Sequence, residues 1–496
     1  MAIHGAQRWI SKLHVRKRNQ SNEAKVRLLH RDRNDTYGYC AGEATIDILS
    51  DDALLAIFFL YKEVYLHDLS WWEPLVHVCR RWRHLIFASP LHLNLTLVCS
   101  LRKRARRSLD IWPPFPIAIH VSSCKAPSNI FNFVAALKHP DRVSDIRLNS
   151  LTITGVMVFV DMMRCPFSVL TYLSLGSIDD DELVLPDGFL GGSAPSLRTL
   201  LLERIAFAAL PKLLLSTTQL VTLRISSAST IGYISPGVMA TCLVSLPNLK
   251  QITLKFPFPF PDPEQSSPPL PTRAVLPSLL SFRFVGVTQY LEDLLTQLDA
   301  PGLRTVSATF CDHVVHIPQF FRFTNYAKRL SGPPIRAAVE FEYKKVLIKF
   351  ILSDGFELAV TCTELLGQVL SMALVCRELS PLVSRVERLD LRCVRNLLQL
   401  APPFMNLGDW PELFQPFIAV KNVYLCKNLW PKLAPALQDL SEERVVEALP
   451  ELRTLFLEEP RGRAMGFIEP FITARRLSGH PVAVQQCVTS DFMAKG

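Results

Sequence analysis

Hydrophobic positions between residues 143 and 460 recur as a unit, apolar-x-x-apolar-x-apolar. Its clearest copies begin at Val143, Leu170, Leu197, Leu220, Leu249, Leu279 and Leu303, and later at Val386, Val420 and Leu452. Within a copy such as Leu170-Thr-Tyr-Leu173-Ser-Leu175 the apolar residues alternate with polar ones, which predicts a strand with one buried face. The first seven copies start 23 to 30 residues apart, enough for one strand and one helical segment per repeat. Ala-Pro or Leu-Pro precedes five copies, at Ala194-Pro195, Leu246-Pro247, Leu276-Pro277, Ala300-Pro301 and Leu449-Pro450. There the proline is expected to end the preceding helix and open the strand without losing a needed ladder donor.

A different period governs residues 45–97. Leu54, Ile57, Phe58 and Tyr61 share one side of a first short helix. Leu75, Val78, Cys79, Trp82 and Ile86 form a single stripe on a second, with Arg80, Arg81, Arg83 and His84 off it. Ser50 stands where an N-cap is expected, and Asp51 and Asp52 follow in the first turn, where negative charge suits the helix dipole. Leu93, Leu95 and Leu97 then alternate like a strand, so this module is expected to run directly into the repeats. A unit of about 50 residues cannot cover two apolar stripes by itself. The following domain or a partner protein must complete it.

The same residues carry a resemblance. Leu49-Ser50-Asp51-Asp52-Ala53-Leu54-Leu55-Ala56-Ile57-Phe58, a gap, and then Leu75 through Pro90 resemble the F-box pattern, with its V-C-R-x-W-R core at Val78 to Arg83. Ser50 stands where that family usually carries proline. With the repeats behind it, the chain resembles F-box proteins with degenerate leucine-rich repeats, of the large fungal, basidiomycete-type families. The resemblance implies an α+β or α/β solenoid: a helical F-box module at 44–100, a connector at 101–142 and an irregular leucine-rich-repeat solenoid at 143–460. It further implies a substrate-recognition adaptor of an SCF-type E3 ubiquitin ligase. Such a chain is not an enzyme itself; it docks a Skp-family adaptor, and through it a cullin, and presents a substrate protein. Leu49, Ser50, Leu54, Ile57, Phe58, Val78, Cys79 and Trp82 would meet the Skp-family adaptor. Tyr172, Arg198 and Arg224, between the apolar repeat positions, are the candidate substrate surface. The alternative reading is a non-ubiquitin interaction scaffold with a degenerate F-box.

The repeats depart from a strict leucine-rich repeat, which places Asn or Cys three residues after the third apolar position. Leu151, Ile178, Ile205, Ala228, Pro257 and Val287 occupy that place here, and Asn428 supplies the only Asn. Apolar side chains are expected to fill that turn instead. Two interruptions are visible. Residues 257–271 carry seven prolines and predict an extended loop. Residues 338–362 alternate in three runs, which predicts three successive strands forming a meander or compressed repeats, followed by a helix at about 363–383. Residues 461–496 are expected to hold a capping helix and a frayed end.

Composition alters this picture little. The chain has 496 residues, is 49% hydrophobic and carries a net charge of +9, which excludes wholesale disorder and does not demand nucleic acid. Residues 1–43 read as a basic flexible tail, and Arg102 to Arg107 as a second basic cluster. A nucleic-acid-associated protein using residues 8–33 and 102–107 is a third, disfavoured reading. The twelve cysteines are scattered without a C-x-x-C, which suits a reducing compartment and no zinc site. No secretory signal or membrane-spanning run is expected, which places the protein in the cytoplasm and/or nucleus. No catalytic motif is present, and no cofactor or metal is expected. His313 and His316 lack further ligands nearby, and Asp179-Asp180-Asp181-Glu182 reads as a solvated acidic turn.

Overall fold

A computed structural model describes residues 46–65, 69–99, 109–110, 112–121, 130–179, 181–227, 232–256, 273–311, 317–326, 336–342, 345–351, 357–362, 368–393, 410–427, 429, 433, 448–458 and 463–487. The basic tail, the Arg102 to Arg107 cluster, the proline-rich segment, Asn428 and the two histidines lie outside these residues. The chain forms two compact units. Among the described residues, one comprises those from Ile46 to Val98 with those from 109 to Ile117, and the other Cys99 with those from Ala118 onward.

The first unit is helical. Its elements are Asp51–Val64, Glu73–Val76, Arg80–Ala88 and Pro90–Leu93. Ser50 caps the first helix, its hydroxyl accepting from Ala53 N at 3.2 Å. The stripe expected on one second helix is divided between two, because Cys79 is extended (φ −153°, ψ 173°) and serves as the N-cap of Arg80–Ala88. That break turns Val78 outward. Leu93 ends a helical turn rather than opening a strand, and Asn94 closes that turn in the left-handed region (φ 52°). Extended structure begins only at Leu97. Pro90 starts the turn where a missing N–H costs nothing.

The core of this unit centres on Trp72, which is fully buried. Its Nε1 donates to the carbonyl of Thr96 at 3.1 Å. Trp112 packs 4.6 Å from it and Phe115 5.6 Å, ring centre to ring centre. Trp112 and Phe115 come from the segment expected to be a mere connector. The returning chain thus contributes two rings to the core of the first unit.

The second unit is built on one large sheet. Its strands are β1 (Ile117–Val121), β2 (Val143–Leu151), β3 (Tyr172–Ser177), β4 (Thr199–Glu203), β5 (Thr222–Ser226), β6 (Gln251–Phe256), β7 (Ser281–Gly286) and β8 (Thr305–Phe310). They continue with β9 (Arg336–Glu342), β10 (Lys345–Ile351), β11 (Glu357–Cys362), β12 (Arg388–Cys393), β13 (Asn422–Leu425), β14 (Thr454–Glu458) and β15 (Ala483–Cys487). Within the unit the order is β1 to β8 in sequence, then β11-β10-β9, then β12 to β15. All ten apolar-x-x-apolar-x-apolar segments form strands of this sheet. From β2 to β8 each strand pairs parallel with the next.

The register is fixed by the buried pairs. Leu173, Leu200, Leu223, Ile252, Phe282 and Val306 align across successive strands, as do Leu175, Leu202, Ile225, Leu254, Phe284 and Ala308. All twelve are buried, and a slip of one residue would turn each set to the open face. Helices of seven to nine residues, such as Leu210–Ser216, Pro236–Val244 and Thr288–Thr296, lie between the strands. They are too short to persist alone and depend on packing.

The recurrent Ala-Pro and Leu-Pro pairs build a turn rather than a helix stop. In each, the residue before the proline accepts a hydrogen bond from the first apolar residue of the repeat. These bonds run from Leu197 N to Ala194 O, Leu249 N to Leu246 O, Leu279 N to Leu276 O, Leu303 N to Ala300 O and Leu452 N to Leu449 O, at 3.0 to 3.3 Å. Proline occupies the second position of the turn, where its fixed φ is already correct. Phe167, Thr217 and Val383 accept the same bond from Leu170, Leu220 and Val386 without a proline.

The strand-rich insertion is a meander placed inside the sheet. β8 pairs parallel with β11, β10 is antiparallel to both β11 and β9, and β9 pairs parallel with β12. The parallel stack is therefore interrupted by one reversed strand and then resumes. The helix expected at 363–383 appears as Gln368–Glu378 and Ser380–Val383. At the far edge, Arg463–Leu477 is a helix, and Ala483–Cys487, expected to be frayed, is a strand paired parallel with β14.

Acidic side chains join neighbouring repeats. Glu292 accepts from the backbone N–H groups of Gln319 and Phe320 at 2.8 and 2.9 Å, the first turn of the next helix, Pro318–Tyr326. Asp179 accepts from Ile153 N at 2.7 Å in the same way. This carboxylate, expected in a solvated turn, caps the preceding repeat's helix, Ile153–Val160. The turn positions expected to be filled by apolar side chains are mixed: Leu151 and Ile205 are buried, and Ile178 is exposed.

Candidate functional site

Two outward faces carry the candidate residues, one on each unit. On the first unit, the residues expected to meet a partner divide sharply. Leu54, Phe58 and Trp82 are buried, with the Phe58 and Trp82 rings 4.9 Å apart edge to face. They build the core and cannot also present a docking surface. Leu49, Ile57 and Cys79 are half-buried, Ser50 is exposed, and Val78 is 43% exposed. The Cys79 sulfur accepts from Trp82 N at 3.4 Å, a capping role.

A feature missed in the sequence is a second apolar stripe on helix Asp51–Val64. At 100° per residue, Leu54, Phe58 and Tyr61 point one way, and Ala53, Ile57, Leu60 and Val64 point about 90° away from them. Leu60 is 48% exposed and Val64 59%. The spacing i, i+4, i+7, i+11 was legible, but it could not be ranked against the buried stripe without knowing where the other helices pack. Arg81, off the expected stripe, joins the two helices. Its Nη2 donates to Asp51 Oδ1 at 2.7 Å and to the carbonyl of Leu49 at 2.6 Å. Arg83 Nε donates to the carbonyl of Val76 at 2.9 Å.

On the second unit, the strand register sets one row of side chains across the open face of the sheet. The row runs Arg147, Ser174, Leu201, Arg224, Thr253, Arg283, Ser307, Ala359, Lys349, Ala338, Asp390, Tyr424, Phe456 and Gln485. Basic residues recur along it. Of the expected substrate residues, Arg224 lies in this row, 3.4 Å from Glu203, and Tyr172 in the adjoining row. Arg198 stands outside the strand, between the Ala194–Leu197 turn and Thr199.

At the β2 end, Arg147 covers the Tyr172 ring at 4.1 Å and is paired with Asp145 at 2.7 Å. His120 Nε2 lies 3.3 Å from the same carboxylate. Burial works against ionisation of Asp145, but His120 and Arg147 beside it outweigh that cost and hold the carboxyl below its usual range. Elsewhere, burial pushes the Cys242 thiol up to about 11 and the Cys376 thiol higher still, so neither is a thiolate near neutral pH. Among the described residues, no group of three His, Cys, Asp or Glu could hold a metal ion, and no helix is long and apolar enough to cross a membrane.

No protein-family model matches this sequence, and no curated protein matches it. Among solved structures, the chain is similar to the leucine-rich repeat-containing protein LegL7 from Legionella pneumophila. That match has 14% identity over 78% of this chain and 98% of the other, with a TM-score of 0.25. A superposition that poor carries no argument. The repeat architecture stands on the strand order and register described above.

Proposed function

We propose that the chain is a substrate-recognition adaptor of an SCF-type ubiquitin ligase, its first unit an F-box that docks a Skp-family adaptor and its repeat unit a degenerate leucine-rich-repeat surface for a substrate protein. The observation that carries this reading is the open apolar stripe of helix Asp51–Val64. Side chains such as Leu60 and Val64 each gain about 1.5–3 kcal/mol when fully buried, so their exposure on a small helical unit favours a partner. Val78, turned outward by the Cys79 cap, is a further exposed apolar residue of the same unit. The docking residues of this reading are Leu49, Ser50, Ile57, Leu60, Val64 and Val78. The non-ubiquitin scaffold is the competing reading, and it draws support from Ser50 in the place of the usual proline.

The full-length chain, wild type and a Leu60→Asp, Val64→Asp double variant, is mixed with a Skp-family adaptor and a cullin, and co-purification is measured. Both substitutions lie on the exposed stripe, so helicity by circular dichroism should be retained. Recovery of adaptor and cullin with wild type but not with the variant supports the proposal. Equal recovery with both chains overturns the docking surface, and adaptor without cullin favours the scaffold.

A further inference from the structure

The β9, β12, β13 and β14 strands bring together an arrangement found nowhere else among the described residues. Asp390 is completely buried on the open face, and three arginines converge on it. Arg336 reaches Oδ2 through both Nε, at 2.7 Å, and Nη2. Arg388 Nε donates to Oδ1 at 2.9 Å and Arg392 Nη2 to Oδ2 at 3.2 Å. Arg392 also contacts Glu340 at 3.2 Å. Three guanidinium groups thus gather around two carboxylates, so these five side chains together carry a net positive charge.

An aromatic stack adjoins the cluster. The Arg388 guanidinium lies 3.7 Å over the Tyr424 ring. Tyr424 stacks on Phe456 with ring centres 4.2 Å apart and planes within 5°. Both rings are half-buried. The stack fixes the plane of Arg388, and Asp390 anchors all three arginines from beneath. A guanidinium held in a fixed plane presents paired N–H groups at the spacing of carboxylate or phosphate oxygens. Ala338, next to Asp390 in the row, leaves the neighbouring position low.

We infer that this cluster is the anchor site for an anionic segment of a partner protein, one bearing a phosphorylated side chain or closely spaced carboxylates. The segment would lay its anionic group against Arg336, Arg388 and Arg392 and its chain along the edges of Tyr424 and Phe456. Single-stranded nucleic acid finds no stacking face at Tyr424. Base stacking needs an open ring face, and Tyr424 has one face on Arg388 and the other on Phe456. The site deepens the substrate-surface half of the proposed function and does not depend on the docking half.

The test is fluorescence anisotropy with the full-length chain. The probes are three short peptide libraries, identical except for a fixed central phosphoserine, glutamate or serine, and a single-stranded oligonucleotide of matched charge. The phosphoserine library is expected to bind at least about tenfold more tightly than the serine library, with glutamate between them. Arg388→Lys keeps a cation beside Asp390, and with it the fold, but loses the planar fork. It is expected to weaken phosphopeptide binding about tenfold, while Arg164→Gln, an exposed arginine outside the row that pairs with Asp161, leaves it unchanged. Equal binding of all three libraries, equal loss in both variants, or preference for the oligonucleotide overturns the inference. Co-purification with the Skp-family adaptor is scored separately, so failure of either reading is distinguishable from failure of the other.

Discussion

Arg81 Nη2 lies 2.7 Å from Asp51 Oδ1, across thirty residues of chain, and the same nitrogen donates to the carbonyl of Leu49. One side chain thereby ties helix Arg80–Ala88 to the start of helix Asp51–Val64. The ion pair is largely exposed and is worth less than about 1 kcal/mol by itself. The bond to the carbonyl adds about as much again. Arg81→Met is expected to lower the stability of the first unit by about 1–2 kcal/mol and Asp51→Asn by less, read from urea unfolding followed by tryptophan fluorescence.

Ser50 can be separated into its two roles. Its backbone sits at φ −64°, a value proline adopts without strain, while its hydroxyl caps the helix at Ala53 N. Ser50→Ala and Ser50→Pro should therefore each fold and each lose about 1 kcal/mol of stability, from the missing cap. If Ser50 is what weakens adaptor docking, Ser50→Pro should bind the Skp-family adaptor more tightly than Ser50→Ala does. Calorimetric titration of the two variants decides the point.

Glu292 holds the first turn of the next repeat's helix through the N–H groups of Gln319 and Phe320. A leucine in its place would leave two donors at a buried helix start without their acceptor. Glu292→Leu is expected to cost about 1–3 kcal/mol. Hydrogen exchange should show the loss concentrated in Pro318–Tyr326, and a uniform rise over the sheet would contradict the local capping role.

Asp145 gives the second unit an acid-sensitive end. Its carboxyl is held below the ordinary value of 3.8. The stability it contributes is therefore fully present above that value and is lost as pH falls through the lower native one. Wild type should lose more stability than Asp145→Asn on acidification from about pH 5 to about pH 3. Parallel denaturation curves for the two chains across that range would remove Asp145 from the account.

Much of the repeat unit is legible because each strand has its own local signal. The alternation around Leu173, Leu200 and Leu223 marks which residues face inward, and the constant register follows from aligning like with like. The Ala-Pro and Leu-Pro pairs were legible as punctuation but not as turns, since proline is compatible with both a helix stop and the second position of a turn. Ala483–Cys487 carries two glutamines and no clear apolar pattern, because an edge strand buries little. Its pairing with β14 is a tertiary outcome.

The candidate site divides along the same line. Sequence alone determined the apolar stripe of the first helix, the N-cap at Ser50 and the repeated strands of the second unit, because these depend on local signals and on periodicities of 3.6 and 2 along the chain, whereas the break at Cys79 that splits the second stripe was not legible. It could not determine which apolar stripe is buried. Leu54 and Leu60 are the same residue type on the same helix, and only the packing of Trp82 and its neighbours puts one inside and one outside. Nor could it determine that Arg336, Arg388 and Arg392 meet at Asp390. Arg336 is 54 residues from Asp390, and the two become neighbours because the inserted meander reverses one strand and returns β9 to the side of β12. The tertiary structure alone decided that contact.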